Sequence, residues 1–155
     1  MTHFRQIVDR SLRGKNVVVV SEGKQDNFLI QAYASDLARE GVETIGLHNY
    51  PFDKPDQLTH AIRRERPDMV IYHLSKNDPG DLKRCELVTK ELQRTDLWRK
   101  KIPVYVIKSC KWRDYLSAAE SEPILKAGAS ISMGEIDASS VASEILHEFR
   151  VSKAR

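Results

Sequence analysis

The chain has 155 residues, of which 41% are hydrophobic and 30% charged, which suits one globular domain whose core needs neither disulfides nor metals. Its 25 basic against 22 acidic residues are too even to argue for a nucleic-acid partner. No apolar run approaches the ~20 residues of a membrane span, and the N-terminal MTHFRQIVDRSLRGKN lacks the apolar core of a signal peptide.

Phe4, Ile7, Val8 and Leu12 fall at helical spacing, so an N-terminal helix is expected over 1–14, stopped by Gly14. Residues 16–20 read as the first strand. From Lys24 to Glu40, Phe28, Leu29, Ala32, Tyr33 and Leu37 form one apolar helical face, ended by Gly41. Residues 42–47 are a second strand. Pro51 and Pro55 punctuate a loop before a helix that turns Leu58, Ala61 and Ile62 inward. After Pro67 and Asp68, MVIYHL is a third strand, apolar enough for a sheet covered on both faces. Pro79 and Gly80 mark a loop, and Leu82, Cys85, Val88 and Leu92 follow on a helix. Residues 102–107 (IPVYVI) are the fourth strand. Residues 111–127 read as helical, with a break or restart near Ser121-Glu122-Pro123. Residues 129–133 are a short fifth strand. Asp137 caps a last helix with Val141, Ile145 and Phe149 inward, and 151–155 is expected to fray.

Strand and helix thus alternate five times across a single domain spanning 1–155. Right-handed crossovers then give an α/β, three-layer, doubly wound parallel sheet with an extra N-terminal helix. Such sheets bind ligands at the carboxyl ends of their strands. Those ends carry Ser21-Glu22, His48-Asn49, His73 to Asn77, Lys108-Ser109 and Met133-Gly134-Glu135. Cys85 and Cys110 show no metal spacing and read as reduced thiols of a cytoplasmic protein.

PDMVIYH (67–73), IPVYVIKS (102–109) and KAGASISMG (126–134) resemble the corresponding segments of response-regulator receiver domains. The resemblance covers nearly the whole chain after residue 15 and implies strand order 2-1-3-4-5. Receivers gather Mg²⁺ with an acidic pair after the first strand and phosphorylate an aspartate ending the third. A hydroxyl on the fourth strand and a lysine after the fifth bind the phosphoryl oxygens. Here the acidic pair is Ser21 and Glu22, and the acceptor position falls on His73. The hydroxyl position falls on Lys108, with Ser109 next, and the lysine position on Gly134 or Glu135. One carboxylate of three is too little oxygen charge for Mg²⁺. The resemblance therefore implies a pseudo-receiver with a degenerate phospho-site, no catalytic residues, no metal and no cofactor. It would act in signalling by binding a protein. The implied partner face includes Trp112, Tyr115, Ile131, Glu144 and His147, and self-association through that face is left open. With no output domain attached, the chain is expected to be a stand-alone adaptor or a piece of a longer protein.

VVVVSEGKQD also resembles the strand-then-EGxxD element of Toprim domains, which are metal-dependent nucleic-acid enzymes, and SKNDPG (75–80) has the spacing of their DxDxxG element. Its two aspartate positions hold Ser75 and Asn77, leaving Glu22 alone as the general acid/base, with Asp78 and Asp81 as substitutes only if the loop refolds. A third reading keeps receiver signalling, with His73 as the phospho-acceptor.

Among the residues themselves, Glu22 reads first as a helix-capping carboxylate. Glu22, His73 and Lys108 are expected to satisfy one another as a polar cluster. His48, His73 and Glu22 are a weaker zinc candidate. Trp98-Arg99-Lys100-Lys101 and Lys111-Trp112-Arg113 interleave aromatic and basic residues. They read as half-buried tryptophans among snorkelling lysines before they read as nucleic-acid contacts. Arg63 to Arg66 reads as a solvated helix end.

Overall fold

The structure, a computed structural model, describes residues 12–21, 26–48, 55–74, 79–94, 101–109 and 115–154. Five parallel strands make one sheet: β1 (Asn16–Ser21), β2 (Glu43–His48), β3 (Met69–His73), β4 (Val104–Ser109) and β5 (Ser130–Gly134). Their spatial order is β2-β1-β3-β4-β5, the 2-1-3-4-5 order expected from the sequence. The helices between and after them are α1 (Asn27–Arg39), α2 (Pro55–Arg64), α3 (Pro79–Leu92), α4 (Ala118–Ala127) and α5 (Ala138–Ala154).

Strand alternation divides the core in two. Val18, Val20, Val70, Tyr72, Val104 and Val106 face α2, α3 and α4. Val17, Val19, Met69, Ile71 and Ile107 face α1 and α5. The three central strands are buried on both sides, and this is why they read as continuous apolar runs. Register is pinned at the amino end, where the Asn16 amide donates to Asp68 Oδ2 (2.9 Å) and the Asp68 amide donates to the Asn16 carbonyl (2.9 Å).

Several boundaries differ from the sequence reading. The expected N-terminal helix lies outside the described residues, except that Leu12 is buried against the α1–α5 layer. Phe28 is 87% exposed and Ala32 is exposed, although both were expected inward. The buried face of α1 is Ile30, Tyr33 and Leu37. Phe28 precedes Ile30 by two residues, about 200° around the helix, so the two cannot share a face. Gly41 ends the α1 turn at φ 85°, a left-handed backbone that favours glycine.

Pro55 and Pro79, expected in loops, open α2 and α3. A first-turn residue needs no amide hydrogen, and the fixed φ of proline is already helical. In the segment read as 111–127, residues 115–117 are irregular and α4 starts only after Ser117. Ser117 accepts from the Glu120 amide (3.1 Å), and the Glu120 carboxylate accepts from the Ser117 amide (2.9 Å), a complete capping box. Pro123 therefore lies inside α4 rather than at a restart. Asp137 caps α5 as expected, its Oδ1 accepting from the Ser140 amide at 2.8 Å. α5 runs on through Val151 to Ala154, where a frayed tail was expected.

Arg63 is not simply solvated. Its Nη2 donates to the Glu91 carbonyl (2.6 Å) and ties α2 to α3. Cys85 is buried and unoxidised, and burial pushes its thiol up to about 12. Cys110, both tryptophans, Arg99, Lys100, Lys111 and Arg113 lie outside the described residues, while Lys101 is exposed. Among the described residues, no helix is long and apolar enough to cross a membrane.

Candidate functional site

The carboxyl ends of β1, β3 and β4 place three polar side chains at about 1% exposure: Ser21, His73 and Lys108. Ser21 and His73 are register partners, so they leave the same face of the sheet. That face is the one α1 covers, since His73 alternates with Tyr72 and follows Ile71 by two residues. Lys108 follows Val104 and Val106 in the alternation and leaves toward α3 and α4. The expected Glu22–His73–Lys108 cluster is therefore not what His73 joins. Glu22 lies outside the described residues, and Lys108 is not without a partner.

His73 is held by Tyr33 and Asp26. The Tyr33 hydroxyl lies 2.8 Å from Nε2, with the two rings parallel within 3° and their centroids 5.9 Å apart. Two parallel rings meeting at their edges at that distance suit a hydrogen bond to the ring nitrogen rather than face-to-face stacking. Asp26 Oδ2 lies 3.4 Å from Nδ1. This is close enough for charge attraction, but Nδ1 makes no formed hydrogen bond. A carboxylate beside Nδ1 favours the tautomer protonated there, which leaves Nε2 to accept from Tyr33. Burial, then the Asp26 charge, hold the Tyr33 phenol far above its ordinary range, so it stays a donor.

The local sequence explains how Asp26 comes to be there. It occupies the N-cap position of α1, and its carbonyl accepts the first helical bond from the Ile30 amide (2.8 Å). Its side chain makes no cap bond and turns to His73 instead. Tyr33, two turns into α1, comes down on the same spot and is fully buried. Asp26, His73 and Tyr33 thus form a line of carboxylate, imidazole and phenol. The chain supplies all three, at the carboxyl end of β3. Sequence reasoning placed Tyr33 only as core and gave Asp26 no role. The signal available was Asp26 directly before the α1 face that carries Tyr33.

The remaining candidates are more scattered. Ser109 ends β4 beside Gly134, and its side chain is not described. Gly134 ends β5 at φ 113°, where a Cβ would sit 3.5 Å from the Tyr115 hydroxyl. Glu135 is exposed beyond it. Tyr115 is 52% exposed, while Trp112 lies outside the described residues. Ile131, Glu144 and His147 do come together, in a groove between β5 and α5. Of the Toprim-like positions, Glu22 and Ser75 to Asp78 lie outside the described residues. Asp81 is described and pairs with Arg84 Nη1 (2.9 Å) within the first turns of α3. For the zinc candidate, the backbone of His48 and all of His73 are described. Among the described residues, no group of three or more His, Cys, Asp or Glu could hold a metal.

The chain matches no protein-family model and no curated protein sequence. Among solved structures it is similar to a point mutant of the receiver domain of the histidine kinase CKI1 from Arabidopsis thaliana. The two are 16% identical over 95% of each chain, with a TM-score of 0.57. More distant likenesses are the Flv1 flavodiiron core from Synechocystis (11% identical, 88% of this chain and 34% of that one, TM-score 0.48) and a short-chain flavodoxin associated with a bacterial microcompartment (16% identical, 79% and 82%, TM-score 0.44). Identities this low speak to architecture. The chain has a receiver-like, flavodoxin-like doubly wound fold.

Proposed function

We propose that this domain is a pseudo-receiver, which keeps the receiver architecture without phosphoryl transfer and acts by binding another protein. One observation carries the reading. The end of β3, where a receiver resemblance puts the acceptor carboxylate, holds a buried His73 whose ring nitrogens face Tyr33 and Asp26. An imidazole cannot form an acyl phosphate, and this one is buried against the chain's own Tyr33 and Asp26. The same packing weighs against His73 as a phospho-acceptor. Nε2 is engaged by Tyr33, and a phosphoryl group on Nδ1 would sit against the Asp26 carboxylate, like charge on like.

The test is an amide NMR titration of the whole chain with millimolar Mg²⁺, then with beryllofluoride added as an aspartyl-phosphate mimic. No saturable shift is expected at Ser21, Asp26, His73 or Lys108. Saturable shifts there with Mg²⁺ alone would overturn the reading and reopen the metal-dependent nuclease alternative, to be followed by a nuclease assay. Acid-labile phosphate incorporated from a small phosphodonor would instead favour chemistry at His73.

A further inference from the structure

The flank of the sheet is built differently from its tip. β5 is an edge strand, and Ser130 and Ser132 on it are register partners of Tyr105 and Ile107, on the face that α5 covers. Serine is too short to close the distance to a packed helix, so a groove of about 260 Å³ remains between β5 and α5. Met69 and Ile145 give it an apolar floor, and the Tyr105 ring forms one wall.

α5 supplies the charge. Glu144 and Glu148, one helical turn apart, line the groove, and both are exposed. Glu144 accepts a hydrogen bond from the Tyr105 hydroxyl, and neither glutamate is paired with a lysine or arginine among the described residues. Like charges at this spacing repel each other mildly unless a cation lies between them. Burial, then the bond to Glu144, push Tyr105 up to about 12, so the phenol remains a donor and fixes one carboxylate at the rim.

We propose that this groove receives an arginine side chain presented by a protein partner. The proposal rests on reading the domain as a protein-binding module and names the chemistry of what it binds. The aliphatic stem of arginine suits the Met69–Ile145 floor. Its planar guanidinium can fork between two carboxylates and lie against the Tyr105 ring. A lysine ammonium is a compact, strongly hydrated charge that would satisfy one carboxylate and leave the other.

The probe is an end-capped Gly-Arg-Gly peptide titrated into the isotope-labelled chain, with Gly-Lys-Gly, Gly-Leu-Gly and free arginine as comparisons. The arginine peptide is expected to shift Tyr105, Ser130 to Ser132 and Glu144 to Glu148 saturably, and to bind more tightly than the other three. Binding should weaken by about tenfold in the Glu144→Gln/Glu148→Gln double variant, and with added salt. Both positions are exposed, so the variant's amide spectrum will report an intact fold. No saturable shift, undiminished binding to the double variant, or equal binding of the leucine peptide would overturn the proposal. Free arginine binding more tightly than the capped peptide would overturn the assignment to a protein partner. The Mg²⁺ titration reads the other end of the sheet. A silent groove beside an Mg²⁺-silent tip therefore refutes the arginine assignment alone.

Discussion

The tip of the sheet and its β5 flank treat polar groups in opposite ways. At the tip, Asp26, His73 and Tyr33 lie within 9% exposure and turn toward one another. At the flank, Glu144 and Glu148 stand at the rim of a groove that two serines leave open. A buried polar group costs free energy unless the protein itself satisfies it, and a rim carboxylate can wait for an outside partner. The tip groups are engaged within the chain, although His73 Nδ1 makes no formed hydrogen bond, and the flank has room and charge to spare. The proposed function follows this contrast, setting phosphoryl chemistry aside where the buried side chains engage one another and proposing recognition where the carboxylates face outward.

The largest expected effect comes from restoring a carboxylate at the acceptor position. His73→Asp would put a second buried carboxylate beside Asp26 and beneath Tyr33. Burying an ionised carboxylate without a paired cation costs several kcal/mol, and here repulsion from Asp26 adds to it. The new aspartate would have a folded pKa above its unfolded value, so the folded form would bind more protons. The deficit should therefore shrink as pH falls from 7 toward 5. Urea denaturation at both pH values measures this. A variant as stable as the parent at pH 7, or one that gains an Mg²⁺ response, would mean that the tip is more open than its packing indicates.

Tyr33→Phe is a smaller lesion in the same cluster. It strips the hydroxyl from His73 Nε2 and leaves a buried nitrogen unpaired, at a cost of about 1–3 kcal/mol near neutral pH. Tyr33 also has a raised folded pKa, so its contribution is complete below about pH 10 and is lost as pH rises beyond that. The stability gap between parent and variant should accordingly narrow in alkali. Chemical denaturation from pH 7 to 11 tests the slope, and a gap that stays constant would place Tyr33 outside the titrating set. Cys85 has the same sign, since its folded thiol lies near 12 against a reference of 9.0. It should remain unreactive to a thiol reagent at pH 8 until the chain unfolds.

The layer structure and strand order were legible in the sequence because each rests on a redundant pattern. VVVV, MVIYHL and IPVYVI could hardly be anything but doubly covered strands, and the connections leave few topologies open. Boundaries set by a single side chain were harder. Pro55 and Pro79 punctuate a loop or open a helix with equal right until the amide bookkeeping is known. The Ser117–Glu120 capping box, which was present as S-x-x-E, outweighed the proline at 123. The site was legible only in part. His73 was found from its place at a strand tip, but its partners come from α1, across a crossover. A helix start such as Asp26 carries no mark in sequence to show whether its carboxylate will cap the helix or reach a strand.

The smallest expected effect probes the flank. Ser132→Val adds a branched side chain at a half-exposed position of β5, where strand preference favours valine and the groove has space for it. Stability should change by less than about 1 kcal/mol, since the added methyls leave water while the Ser132 hydroxyl gives up its hydrogen bond with Tyr105, whose bond to Glu144 remains. The same methyls would occupy the volume assigned to the arginine stem, so arginine-peptide binding should fall while the response of the tip to Mg²⁺ stays as it was. Thermal unfolding and the peptide titration separate the two effects. A stabilised variant that still binds arginine would place the guanidinium outside the groove, on the carboxylates alone. A loss beyond the ~1.5 kcal/mol that one hydrogen bond accounts for would mean that β5 and α5 already pack tightly around the two serines, and that the space between them is not available to any side chain.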